Sequence, residues 1–126
     1  MKTEKRKTGD RGEDIASSFL IKNKYKIIAR NFNTRGGEID IIAQCKTGKI
    51  KTLCFVEVKT RQNDDGSAER ATGAGKLSRL FSAARAYCLD NNIDMENTPI
   101  QFEQVSVYLN EKTGQPECAH FVIPVD

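Results

Sequence analysis

The run Leu53-Cys54-Phe55-Val56-Glu57-Val58-Lys59 constrains this chain more than any other segment. It is apolar on both faces apart from Glu57 and Lys59, so it reads as a central strand within Thr52 to Arg61. A central strand needs neighbours, and the chain supplies them. Tyr25 to Phe32 and Glu38 to Gln44 read as strands, joined by the turn Asn33-Thr34-Arg35-Gly36-Gly37. Ile100 to Leu109 and Ala119 to Val125 read as two later strands. Ile15, Ala16, Phe19 and Leu20 form an apolar stripe that predicts a helix over Asp10 to Asn23, and Asp10, Glu13 and Asp14 suit its positive N-terminal end. Leu77, Leu80, Phe81, Ala84 and Cys88 predict a second helix over Lys76 to Asp90. Residues 1–8 read as a flexible basic tail, and Gln62 to Gly75 as a mobile loop. The order α-β-β-β-α-β-β implies an α/β domain over residues 9–126, a mixed central sheet with helices packed on it.

Acidic residues interrupt two of these apolar strands. If Gly48-Lys49 is a two-residue type II′ turn, paired residues sum to 97: Asp40 lies opposite Glu57, Glu38 opposite Lys59, Ile41 opposite Val56 and Ile39 opposite Val58. Two opposed carboxylates on an apolar sheet repel each other and are costly to desolvate. A divalent cation relieves both problems, and Mg²⁺ takes such ligands with waters and substrate phosphate. Asp40 and Glu57 as exposed charges satisfied by Lys59, Arg35 or Arg61 is the plainer alternative. The acidic pair on apolar strands, with Lys59 two residues on, favours a site.

Charge is uneven. Residues 1–85 carry 19 Lys/Arg against 10 Asp/Glu, and residues 86–126 carry 1 against 7. By itself this fits a solvated surface as well as a polyanion partner. Nothing approaches the roughly 18 apolar residues of a membrane span, and the start Met-Lys-Thr-Glu-Lys-Arg-Lys-Thr has no apolar core of a signal peptide. The expectation is therefore a cytoplasmic protein with no membrane partner. Cys45, Cys54, Cys88 and Cys118 form no Cys-x-x-Cys pair, and His120 is the single histidine, which leaves little for a zinc site or a catalytic triad.

The pattern Asp40…Glu57-Val58-Lys59 resembles the PD-(D/E)XK nuclease superfamily, with its restriction-endonuclease-like fold. More closely, the chain resembles the YraN family of small bacterial proteins, akin to archaeal Holliday junction resolvases. The resemblance rests on Gly12-Glu13, on Asn31-Phe32-Asn33-Thr34-Arg35-Gly36-Gly37-Glu38-Ile39-Asp40 and on Phe55-Val56-Glu57-Val58-Lys59-Thr60-Arg61. It extends less sharply to Lys76, Leu80 and Phe102-Glu103, and the glycine-rich Ala71 to Gly75, Gln101 and Gln104 depart from it. It implies that Asp40 and Glu57 hold Mg²⁺ or Mn²⁺, with the Val58 carbonyl as a third ligand. It implies that Lys59 orients or deprotonates the attacking water, and that Glu13 reaches a metal-bound water or second cation. Glu38 is taken as the partner of Lys59. Arg35, Arg61, Lys76 and Arg79 are candidate phosphate contacts.

The expected activity is metal-dependent phosphodiester hydrolysis, in DNA rather than RNA. With no base-reading helix in the sequence, selection by DNA structure (branched or single-stranded) is expected over selection by sequence. A twofold dimer would suit cutting two strands, but no feature of the sequence shows one. The rivals are a nucleic-acid-binding module without turnover and a protein-interaction module.

Overall fold

The computed structural model describes residues 4–61, 74–110 and 113–125. Its elements are α1 (Glu4–Lys22), β1 (Lys26–Thr34), β2 (Gly37–Thr47), β3 (Ile50–Arg61), α2 (Ala74–Asp90), β4 (Ile100–Leu109) and β5 (Pro116–Ile123). The expected element order is the one observed. Helix α1 starts six residues before the expected Asp10, because the Glu/Lys/Arg-rich start favours helix without any apolar period to announce it. Strand β5 runs from Pro116 rather than Ala119. Residues 1–3 of the expected tail and 62–73 of the expected loop lie outside the described residues.

The five strands lie in the order β1-β2-β3-β4-β5. Pairing is antiparallel except between β3 and β4, which are parallel and joined through α2, so the sheet is mixed. Strand β3 is central, and Leu53 to Glu57 are all buried. Two apolar clusters cover its two faces. Leu53 and Phe55 pack with Leu80, Ala83, Ala84 and Tyr87 of α2. Cys54 and Val56 pack with Ala16 and Leu20 of α1 and Val105 and Val107 of β4. This explains the doubly apolar strand: each face meets a helix.

The β2–β3 hairpin has the expected register, from Thr47↔Ile50 to Ile41↔Val56. Gly48 takes φ 62 in its turn, a conformation glycine adopts without steric cost. Beyond Ile41↔Val56 the expectation fails: Asp40–Glu57, Ile39–Val58 and Glu38–Lys59 are not ladder pairs. The cause is a face switch in β1 and β2. Residues three apart in a strand should face opposite ways. Yet Ile39 and Ile42 share the α2-side core, as do Ala29 and Phe32. The switch falls where Asn31 takes φ 55, at the register position facing Asp40. Ile39 turns under α2 while Val58 stays with the α1-side cluster. The Asp40 carboxylate points along the sheet instead, and accepts the Val58 N–H at 2.7 Å.

Gly37 fixes how closely this hairpin approaches α2. A Cβ there would stand 2.4 Å from the Arg79 carbonyl oxygen. Gly37→Ala should therefore cost about 1–2 kcal/mol by forcing α2 outward. The urea midpoint measures this, and an unchanged midpoint would show that α2 moves freely.

Candidate functional site

The face switch brings carboxylates to Asp40 from both sides of the sheet. Glu57 lies at the α2 side and is 6% exposed; Glu13 comes from α1 and is 8% exposed. Burial raises the Asp40 carboxyl to about 6; the Val58 N–H opposes this, and the charges of Glu13, Glu57 and Glu38 add to it. A neutral strand interior thus carries a crowded acidic end.

Each flanking carboxylate has a basic partner. Arg30 Nε donates to Glu13 Oε1 at 3.0 Å, and its NH2 group donates to Asp14 at 2.8 Å. Lys76 Nζ lies 2.5 Å from Glu57 Oε1. Glu57 Oε2 is buried with no hydrogen-bond partner. Lys59 follows Glu57 by two residues on β3 and is partly buried. Burial lowers the pKa of its ammonium; Glu57 opposes the shift, and Lys76 and Arg61 deepen it.

A cavity of about 260 Å³ opens beside this group, lined by Glu38, Asp40, Glu57, Val58, Lys76, Arg79 and Leu80. Of the residues singled out in the sequence, Asp40, Glu57, Val58, Lys76 and Arg79 therefore meet at one cavity. Glu13 and Lys59 flank the group without lining it. Arg35 is exposed in the β1–β2 turn, and Arg61 is exposed at the end of β3, its guanidinium donating to the Thr60 carbonyl at 2.8 Å. Glu38 stands exposed at the rim, since the ladder ends before it could face Lys59.

Among the described residues no group of three or more His, Cys, Asp or Glu side chains is arranged to hold a metal ion. A closed protein cage is therefore absent from them. An oxygen pair still suits Mg²⁺ or Mn²⁺, which commonly keep waters and bind through one or two carboxylates plus phosphate. The buried, unpartnered Glu57 oxygen beside Asp40 fits such an ion.

The Arg30–Glu13 pair and the Lys76–Glu57 pair carry no sequence signal beyond their residue types. A third buried glutamate, Glu103, lies on the α1 side of the sheet, and no sequence signal announces its burial. It receives hydrogen bonds from Tyr25 Oη at 2.9 Å, Gln101 Nε2 at 2.9 Å and His120 Nε2. Burial alone would raise its carboxyl, but its donors (His120, Cys54, Gln101 and Tyr25) hold it below the ordinary value. Fully satisfied, it ties β5 and Tyr25, just ahead of β1, to β4. His120 is thus a residue of β5 with Glu103 as its partner.

No helix among the described residues is long and apolar enough to cross a membrane. Residues 12–107 match the uncharacterised protein family UPF0102. The chain is 46% identical over 107 residues to a UPF0102 protein of Koribacter versatilis, covering 82% of this chain and 70% of that one. It is 38% identical over 114 residues to one of Flavobacterium psychrophilum, covering 90% and 88%. A third, from Clostridioides difficile, is 37% identical over 105 residues, covering 82% and 87%. Likeness of this depth, running from the first helix into the fourth strand, shows that the chain belongs to the UPF0102 family, the YraN family its acidic strand motifs resemble.

Proposed function

We propose that this protein is a metal-dependent nuclease on a restriction-endonuclease-like fold, hydrolysing phosphodiester bonds in DNA and selecting its target by structure. The observation that carries the reading is Glu57: a carboxylate buried at a cavity, one oxygen unpartnered, beside an Asp40 carboxyl that burial raises to about 6. Such an arrangement costs stability, and the Lys76 ammonium on the other Glu57 oxygen offsets it only in part.

Asp40, Glu57 and the Val58 carbonyl would hold Mg²⁺ or Mn²⁺. When bound, the ion supplies charge stabilisation at the phosphoryl oxygen and a more acidic water. The protein's own residues do the rest. Lys59 places a positive charge next to Glu57 where negative charge develops on phosphate, and orients the attacking water. Glu13 holds a hydrogen-bond acceptor on the α1 side, with Arg30 fixing its carboxylate. Arg79 lines the cavity and meets the DNA backbone, with Arg35 and Arg61 as outlying phosphate contacts.

The test is a cleavage assay on labelled single-stranded, duplex, flap and four-way-junction DNA, with Mg²⁺, Mn²⁺ or EDTA. Metal-dependent products that EDTA abolishes are expected, most abundant from branched or single-stranded substrates. Junction binding with no products in any lane would replace this reading with a non-catalytic binding module. Neither binding nor products would favour a protein-interaction module.

A further inference from the structure

We infer that Lys76 is a tethered competitor for the divalent cation: its ammonium neutralises Glu57, and a metal ion and Lys76 hold that carboxylate in turn, not together. This rests on the metal-dependent reading above.

The ammonium lies 2.5 Å from Glu57 Oε1, while Oε2 stays buried and unpartnered. One cation therefore half-satisfies a carboxylate built to take more. Helix stability does not account for Lys76. It is the third residue of α2, in a first turn with no acidic residue. A lysine there sits at the positive end of the helix dipole, where cations are disfavoured. Its attraction to Glu57 outweighs that.

The Lys76 side chain is 50% exposed, so it can swing into solvent without repacking the core. A divalent ion on Glu57 would repel an ammonium held on the same carboxylate, so the two exclude each other. An arriving phosphate offers the released ammonium a new partner, with Arg79 on the same cavity wall. DNA should therefore draw Lys76 off Glu57 and strengthen metal binding. By linkage, metal should strengthen DNA binding by the same factor.

The experiment titrates Mn²⁺ into the full chain and follows the free-ion signal by electron paramagnetic resonance. Wild type, Lys76→Met and Lys76→Arg are compared, each with its thermal melt recorded. Lys76→Met should bind Mn²⁺ roughly two- to fivefold tighter, the factor expected on removing a half-exposed ion pair. Lys76→Arg keeps a competing cation and should match wild type. A short phosphorothioate duplex should tighten Mn²⁺ binding to wild type by a larger factor than to Lys76→Met, because only wild type also gains the release of Lys76. If Lys76→Met unfolds, Lys76→Gln serves in its place. Equal or weaker Mn²⁺ binding by the folded Met or Gln variant, with wild type binding, overturns the role of Lys76 and leaves the metal reading standing. No Mn²⁺ binding by any form overturns the metal reading itself, and this inference with it.

Discussion

Asp40→Asn should lower the rate of metal-dependent DNA cleavage by about 10²–10³-fold, the loss typical when one charge-stabilising group of a preorganised site is removed. The substitution is nearly isosteric, and the amide oxygen can still accept the Val58 N–H that the carboxylate accepts at 2.7 Å. The strand geometry is therefore preserved, and the change isolates the negative charge. Glu57→Gln should lose as much, because it removes the charge from the buried carboxylate with the unpartnered oxygen. Lys59→Ala should also lose most of the rate, but with Mn²⁺ binding retained, since its role is at the phosphate. Lys51→Ala, exposed near the start of β3 and away from the cavity, should cut like wild type. Initial rates at saturating Mn²⁺ measure all four. Should Asp40→Asn and Glu57→Gln both cut like wild type, the products come from something other than this site.

Much of this site was legible because strands carry their information in a period of two. The apolar run around Phe55 could only be a central strand, and the Gly48-Lys49 turn set the β2–β3 register through Ile41↔Val56. That register brings Asp40 to the neighbourhood of Glu57, though not into a ladder pair with it. What the period could not reveal was its own interruption. Asn31 at φ 55 reverses the facing of β1 and β2, and no residue type demands that conformation in a strand, although asparagine tolerates it. The reversal turned an expected side-by-side carboxylate pair into an in-plane Asp40 bonded to a backbone amide. Long-range partners were illegible for a different reason. Arg30 reaches Glu13 from 17 residues away, and Lys76 reaches Glu57 from a separate helix. Nothing in the local sequence of either distinguishes it from an ordinary surface charge. Glu103 shows the same limit: its burial depends on Tyr25, Gln101 and His120 converging from three strands' worth of sequence, one residue just ahead of β1.

The substitution that removes activity should also make the protein more stable at neutral pH, by about 2–3 kcal/mol. The sign follows from Asp40. Burial raises its carboxyl from the ordinary 3.8 to about 6, so the folded protein holds this proton more tightly than the unfolded chain. The stability this proton contributes is complete below about pH 3.8 and is lost as pH rises through about 6. At pH 7 the folded protein carries an ionised, poorly solvated carboxylate facing Glu13, Glu57 and Glu38. A gap of about two pKa units corresponds to roughly 3 kcal/mol. Asparagine removes that cost and keeps the Val58 hydrogen bond. Urea unfolding in EDTA at pH 4, 5, 6 and 7 measures the difference between Asp40→Asn and wild type, which should be near zero at pH 4 and complete by pH 7. A difference that does not change with pH, or a variant less stable at pH 7, would place the tension elsewhere. Mn²⁺ should close part of the gap by stabilising wild type alone, because an ion that binds only the folded protein shifts the unfolding equilibrium. A carboxylate cluster that destabilises its own fold until a cation arrives is hard to explain as packing. It follows directly if the cation is what the cluster is for.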